Sequence, residues 1–162
     1  FAAWLERLGG GPGGTLHIEP SPAHLNDVDD EDLDDALRVA MTSRRDRDIS
    51  AAVTLSGPHR DDVWIGRDDV DLRRLGSQGE QRTATLALVL AHRDHLVAHA
   101  ALPILVLDDV LSELDPDRRR RLLEAVSGHG QTILTAADPD VLGVAMGTAA
   151  HTLRVVEGHV VG

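Results

Sequence analysis

The stretch 103–121, PILVLDDVLSELDPDRRRR, decides how the rest of the chain is read. Ile104 to Leu107 form an unbroken apolar run of leucine and β-branched residues, the pattern of a strand buried on both faces. The run ends in two adjacent carboxylates, Asp108 and Asp109, and a second acidic pair, Glu113 and Asp115, follows within one short loop. Asp115-Pro116 reads as an N-cap with proline at the first helical position, so the arginine-rich segment after it is predicted helical. Unpaired buried carboxylates are costly unless a cation or hydrogen bonds compensate them. A buried strand that runs into two like charges therefore needs a reason.

Downstream, QTILTAA (131–137) is a second buried-strand candidate, and Asp138-Pro139 opens a short helix expected to reach about Met146. HTLRVVEGHVVG (151–162) reads as a hairpin turning at Glu157-Gly158. Strand, helix, strand, helix and hairpin is the order of an α/β layer with a parallel core. Open α/β sheets place ligands at the carboxyl ends of their strands, where Asp108 and Asp109 stand. Neighbouring strand residues point to opposite faces, so the pair is not one bidentate clamp. One Asp can face Mg²⁺ while the next reaches a water at a reacting phosphate. The plainer alternative is that the strand ends and the aspartates cap the following turn.

Upstream, Ser77-Gln78-Gly79-Glu80 is a capping box that opens a long helix, GEQRTATLALVLAHRDHLVAHA (79–100). As a cap it needs nothing further, but a helix N-terminus with free N–H groups and a glycine for close approach also suits a phosphate. His92, His95 and His99 share a face of this helix, with no carboxylate at metal-site spacing. AAVTLSGPHRDDVWIG (51–66) predicts a strand, a Gly-Pro break and a second strand. His59, Asp61 and Asp62 at its turn fit either a weak metal site or Asx-type hydrogen bonding. Residues 27–47 carry a helix pattern, with Asp29, Asp30, Glu31 and Asp32 at its start and Arg44, Arg45 and Arg47 at its end. TLHIEP (15–20) is a short strand candidate, and Trp4–Leu8 reads as the end of a helix. Between them LGGGPGGT (8–15) resembles a phosphate loop only superficially, because it lacks the Gly-Lys-Ser/Thr ending, and it reads as a flexible connection.

The totals set bounds. At 162 residues, 42% hydrophobic and 27% charged, the chain has the composition of a globular domain. It contains no Cys, so disulfides and thiolate metal sites play no part, and all sixteen cationic residues are Arg. A net charge of −11 is wrong for a domain whose whole surface embraces DNA, so nucleic acid would have to meet a local basic face. Arg44, Arg45, Arg47 and Arg118–Arg121 are weak candidates for such a face, and a solvated helix surface is the better reading. No apolar run has the length of a membrane span, so a cytoplasmic protein is expected. With Phe1 first and a helix already under way, the chain reads as the C-terminal piece of something longer.

Together LGSQGEQR with its alanine-leucine helix, ILVLDDVLSELDPDRRRRLLEAV and QTILTAADPD, in this order, closely resemble the C-terminal half of the RecF family. SGPHRDD adds to the resemblance, which is strong over about residues 50–140. The family has an ATP-binding-cassette head related to chromosome-maintenance ATPases. The resemblance implies the C-terminal part of such a head over 51–162, preceded over 1–50 by the end of a helical arm. It implies that Asp108 helps hold Mg²⁺ and that Asp109 is the base that polarises the attacking water. Ser77, Gln78, Gly79 and Glu80 would be the signature motif, which binds the ATP γ-phosphate of the opposite protomer, and Ser112, Glu113, Leu114 and Asp115 the D-loop of the dimer interface. It further implies ATP-driven homodimers, weak ATP hydrolysis, binding to single-strand/double-strand DNA junctions, and work with RecR and RecO to load RecA onto gapped DNA.

Three features depart from the usual head. Gln78 stands where most cassette ATPases have glycine. The place of the switch histidine falls near Ala136, with Thr135 or Asp138 as possible substitutes. The Walker A loop with its lysine and the Q-loop are not in these residues. Other readings are another chromosome-maintenance-like or cassette-type repair head, and a structural α/β module that binds no nucleotide.

Overall fold

The computed structural model describes residues 1–21, 28, 29, 31–127, 130–143 and 151–161. They contain the helices α1 (Ala2–Arg7), α2 (Leu33–Ala51), α3 (Leu72–Leu75), α4 (Gln78–Ala98) and α5 (Pro116–Val126). The strands are β1 (Gly14–Glu19), β2 (Asp62–Arg67), β3 (Val70–Asp71), β4 (Leu105–Leu107), β5 (Thr132–Leu134), β6 (Arg154–Val156) and β7 (His159–Val161). The chain divides into two compact units, one of residues 13–75 and one of residues 1–12 with 76–162.

The unit of residues 13–75 is built on an antiparallel sheet in the order β1-β2-β3. His17 pairs with Trp64 across β1 and β2, and their rings stack at 4.9 Å, a cross-strand contact that helps hold the register. Asp68 and Asp69, with φ of 50° and 64°, form the two-residue turn from β2 to β3. Two positive φ values match the right-handed twist of the strands, and Asp tolerates them better than most residues do. The expected helix over 27–47 is α2, which begins later, at Leu33, and runs further, to Ala51. Arg44, Arg45 and Arg47 therefore lie inside the helix rather than in its last turn. The strand expected at 51–56 does not form, because α2 occupies its start and ends on Ala52 in the left-handed conformation. A hydrogen bond from the backbone N–H of Leu55 to the Asp48 carboxylate then holds the exit from the helix.

In the other unit β4 and β5 pair in parallel, with Leu105 opposite Thr132 and Leu107 opposite Leu134. β6 and β7 form the antiparallel hairpin, turning at Glu157 and Gly158 as the sequence predicts. The core is apolar and assembled from several elements: Trp4, Leu5 and Leu8, then Leu86, Ala87 and Leu90 of α4, Leu105 and Leu107 of β4, and Leu122 and Ala125 of α5. On α4 the buried Thr83, Leu86, Ala87, Leu90 and Arg93 follow the helical repeat. The expectation that the run 104–107 is buried on both faces is corrected: Leu105 and Leu107 are buried, but Ile104 is 56% and Val106 60% exposed. A two-stranded parallel pair has one face toward the core, and nothing among the described residues covers the other. Asp138 caps a 3-10 helix, Pro139–Leu142, by accepting from the Asp140 N–H. The rest of the helix expected to Met146 lies outside the described residues.

Arg93 is an expensive member of this core. It is 4% exposed, and its terminal nitrogens find no hydrogen-bond acceptor among the described residues. Among the described residues it pairs with its neighbour Asp94, at 3.5 Å, and its guanidinium lies 5.8 Å from the Trp4 ring, while Asp94 also takes the indole N–H of Trp4 at 2.6 Å. Desolvating a guanidinium with so little compensation costs more than it returns. Arg93→Met is expected to raise stability by about 1 kcal/mol, or about 3 °C in thermal denaturation of this chain. A lower Tm would show that the guanidinium contributes net attraction.

Candidate functional site

The polar groups singled out in the sequence fall on the ends of α4, β4 and α5. Ser77 caps α4 with extended backbone, φ −61° and ψ 159°, and its Oγ accepts from the Glu80 N–H at 3.3 Å. The Glu80 carboxylate accepts in return from the Ser77 N–H at 2.9 Å and from its hydroxyl at 2.8 Å. The capping box is thus formed in full. The Gln81 side-chain amide donates to the Gly76 carbonyl at 3.1 Å, and the Thr83 hydroxyl to the Gly79 carbonyl at 2.7 Å, which stiffens the first turn. Ser77 and Gln78 are exposed and Gly79 and Glu80 half-buried, so the start of the helix is open to a ligand.

At the end of β4 the carboxylates are not buried, contrary to expectation: Asp108 and Asp109 are both exposed. Nor do they follow strand alternation, because Asp109 has φ 50° and the chain has left the strand. A left-handed aspartate is tolerable, yet it is the kind of local strain that surrounding bonds must hold in place. Here Thr135, just beyond β5, supplies them. Its hydroxyl donates to the Asp108 carboxylate, and its Oγ and its carbonyl accept from the Asp109 N–H at 3.1 Å and 3.2 Å. Parallel pairing puts the two strand ends side by side, and Thr135 is the residue that sequence reasoning left undecided. Asp138 instead caps its own turn.

The loop after Asp109 is tied down as strongly. The Ser112 hydroxyl donates to the Asp109 carbonyl at 2.8 Å, and Arg119 Nε donates to the Leu111 carbonyl at 2.7 Å. Leu111 and Leu114 point into the core, while Glu113 pairs with Arg82 of α4 at 2.6 Å. Asp115 accepts from the Arg118 N–H at 3.0 Å, the predicted N-cap of α5. Thus the loop 112–115 and the first turns of α4 are joined directly, a juxtaposition that no local pattern in the sequence announces.

The other candidates have structural occupations. His59 Nε2 lies 3.0 Å from the Thr54 carbonyl, Asp61 accepts from the Ser21 N–H at 2.8 Å, and Asp62 pairs with Arg73 at 2.6 Å. The Val63 N–H first, and then Arg73, hold the Asp62 carboxyl below its ordinary value. These contacts tie the segment to its surroundings, but none is the Asx-type bond to the N–H two residues on that the sequence offered as an alternative to a metal site. His92, His95 and His99 are exposed, and among the described residues no group of three or more His, Asp or Glu could hold a metal. In α5, Arg120 pairs with Asp117 and Glu124, and Arg121 with Asp117. Hydrogen bonds from Arg120 and then Arg121 hold the Asp117 carboxyl below its ordinary value, so these contacts persist at neutral pH and are lost only as pH falls through that lowered value. The arginines of 118–121 are committed within the fold, which weakens their candidacy for DNA. Among the described residues no helix is long and apolar enough to cross a membrane.

Oxygen donors at a strand end suit Mg²⁺, and an open helix N-terminus with glycine in its first turn suits a phosphate, so these residues fit the groups that the sequence implies. No protein-family model matches the chain. The DNA replication and repair protein RecF of Halothermothrix orenii is 39% identical over 126 residues, 76% of this chain and 34% of that protein. RecF of Bacillus subtilis is 44% identical over 111 residues (67% and 30%), and RecF of Streptomyces avermitilis 40% over 142 residues (84% and 37%). The chain spans about a third of the length of these relatives. Among solved structures, that of the recombination mediator protein RecF-ATPrS in the RecFOR pathway matches with a TM-score of 0.68 and 28% identity, over 98% of this chain and 41% of that one. The RecF-ATP structure of the same pathway matches with a TM-score of 0.62 and 31% identity, over 86% of this chain and 39% of that one.

Proposed function

Because this chain belongs to the RecF family over the stretch it shares with those relatives, we propose that it forms the C-terminal part of an ATP-dependent head for DNA repair and replication. In this reading residues 51–162 belong to the head and 1–50 to the end of a helical arm, of which residues 1–12 fold in one unit with 76–162. The observation that carries the reading is the 2.6 Å pair between Glu113 and Arg82, which sets the acidic loop against the helix opened by Ser77.

Each part then has a task. The exposed N–H groups of the first turn of α4, with Ser77, Gln78, Gly79 and Glu80, receive the γ-phosphate of ATP bound to an opposite protomer. The loop of Ser112, Glu113, Leu114 and Asp115 faces that protomer as the D-loop, anchored in the core by Leu114. Asp108 would hold Mg²⁺, which would neutralise charge on phosphate oxygens. Asp109, aimed by its left-handed backbone and the Thr135 contacts, orients the attacking water and accepts its proton on a carboxylate oxygen. ATP thereby joins two heads and hydrolysis releases them. The intact protein would use this cycle in the cytoplasm at single-strand/double-strand DNA junctions, with RecR and RecO, to load RecA.

A full-length RecF protein carrying this segment is expected to double its mass on addition of ATP and Mg²⁺ in analytical ultracentrifugation. The 162-residue chain is expected neither to bind ATP nor to change mass, because the loop that cradles the phosphates is not among its residues. A full-length protein that stays monomeric at saturating ATP would overturn the reading.

A further inference from the structure

We infer that Arg118 is a positioning residue that locks the first turn of α4 to the loop 112–115, and that its guanidinium is a reason for glycine at position 79. The inference rests on the head reading above and adds to it a residue with no previous role.

Arg118 reaches back from α5, with Nη1 3.3 Å from the second carboxylate oxygen of Asp115. Its side chain is only 26% exposed, and a Cβ placed on Gly79 would lie 2.8 Å from the same Nη1. That is closer than carbon and nitrogen tolerate, so a side chain at 79 would push the guanidinium out of the position it holds over glycine. One turn further along α4, Arg82 pairs with Glu113 at 2.6 Å. Residues 79 and 82 stand at i and i+3 and share a face of α4. One ion pair, Arg82 with Glu113, thus joins the loop to that face, and beside it the Arg118 guanidinium, held by Asp115, packs over Gly79 and limits rotation about that pair.

Stability does not explain this arrangement, since half-exposed ion pairs contribute little, about 0–1 kcal/mol each. Geometry does. Under the head reading, the α4 turn meets a phosphate and the loop meets the partner head, and a rigid link makes closure on one register at the other. Alanine at 79 would displace the flexible end of Arg118 rather than disrupt the fold, so it should act by unseating Arg118.

The test uses a full-length RecF protein carrying this segment, with dimerisation followed by ultracentrifugation and hydrolysis measured per dimer at saturating ATP. Arg118→Ala is expected to leave Tm within about 2 °C. It should leave the dimer Kd within about threefold and lower hydrolysis per dimer about tenfold. Arg118→Lys should recover part of the loss, because it retains the charge without the planar fork. Gly79→Ala should show the same drop, and the double variant should be no slower than either single one. Unchanged hydrolysis in Arg118→Ala overturns the inference. So does a double variant whose losses multiply, which would mean that position 79 is glycine for the ligand alone, and so does a joint fall of Tm, dimerisation and hydrolysis. A wild-type protein that fails to dimerise with ATP removes the head reading, and this inference with it.

Discussion

Asp109→Asn in a full-length RecF protein carrying this segment is expected to keep ATP-driven dimers while hydrolysis falls about 10²- to 10⁴-fold. Asparagine is nearly isosteric and retains the N–H that Thr135 accepts, so the left-handed turn and the Ser112 contact to the Asp109 carbonyl should survive. What is lost is the acceptor for a proton. Dimers should therefore persist longer in the presence of ATP, a result read by ultracentrifugation beside a phosphate-release assay. Retained hydrolysis would remove Asp109 as the base. Loss of dimers with unchanged Tm would instead give it a role in binding.

Leu122→Ala should destabilise the chain by about 2–5 kcal/mol. Leu122 is 0% exposed on α5, so truncating it leaves a cavity in the core. For a domain of this size that corresponds to a fall in Tm of about 6–15 °C. Val106→Ala, on the open face of β4 at 60% exposure, should change stability by less than about 0.5 kcal/mol. Thermal denaturation of the two variants side by side tests where the core lies. Equal losses would mean that the outer face of β4 is packed in solution.

Much of this architecture was legible because it is written in local patterns. Ser77 and Glu80 three residues apart announce a box that forms with both of its reciprocal bonds. Asp115-Pro116 marks the start of α5, and Glu157-Gly158 the turn of the last hairpin. Misreadings arose where two local signals competed. The apolar run at 104–107 says only that the residues prefer burial, and whether one face or two is covered depends on what packs there. At 51–56 β-branched residues favoured a strand, but α2 continues through Ala51 and takes up the start of that segment.

The sequence by itself determined the caps, the strand that ends in Asp108-Asp109, the order of elements and, through several motifs in series, the RecF family. Local hydrogen-bond chemistry and hydrophobic period are short-range, so they can be read along the chain. Only the tertiary structure decided that the carboxylates are exposed, that Asp109 turns left-handed, and that Thr135 holds it. It alone joined Glu113 to Arg82 and set Arg118 against Gly79. Residues 26 positions apart, such as Asp109 and Thr135, meet because β4 pairs with β5, and Arg118 reaches Gly79 because α5 packs in the same unit as α4. Such pairings are chosen by the whole core, and no window of sequence contains them.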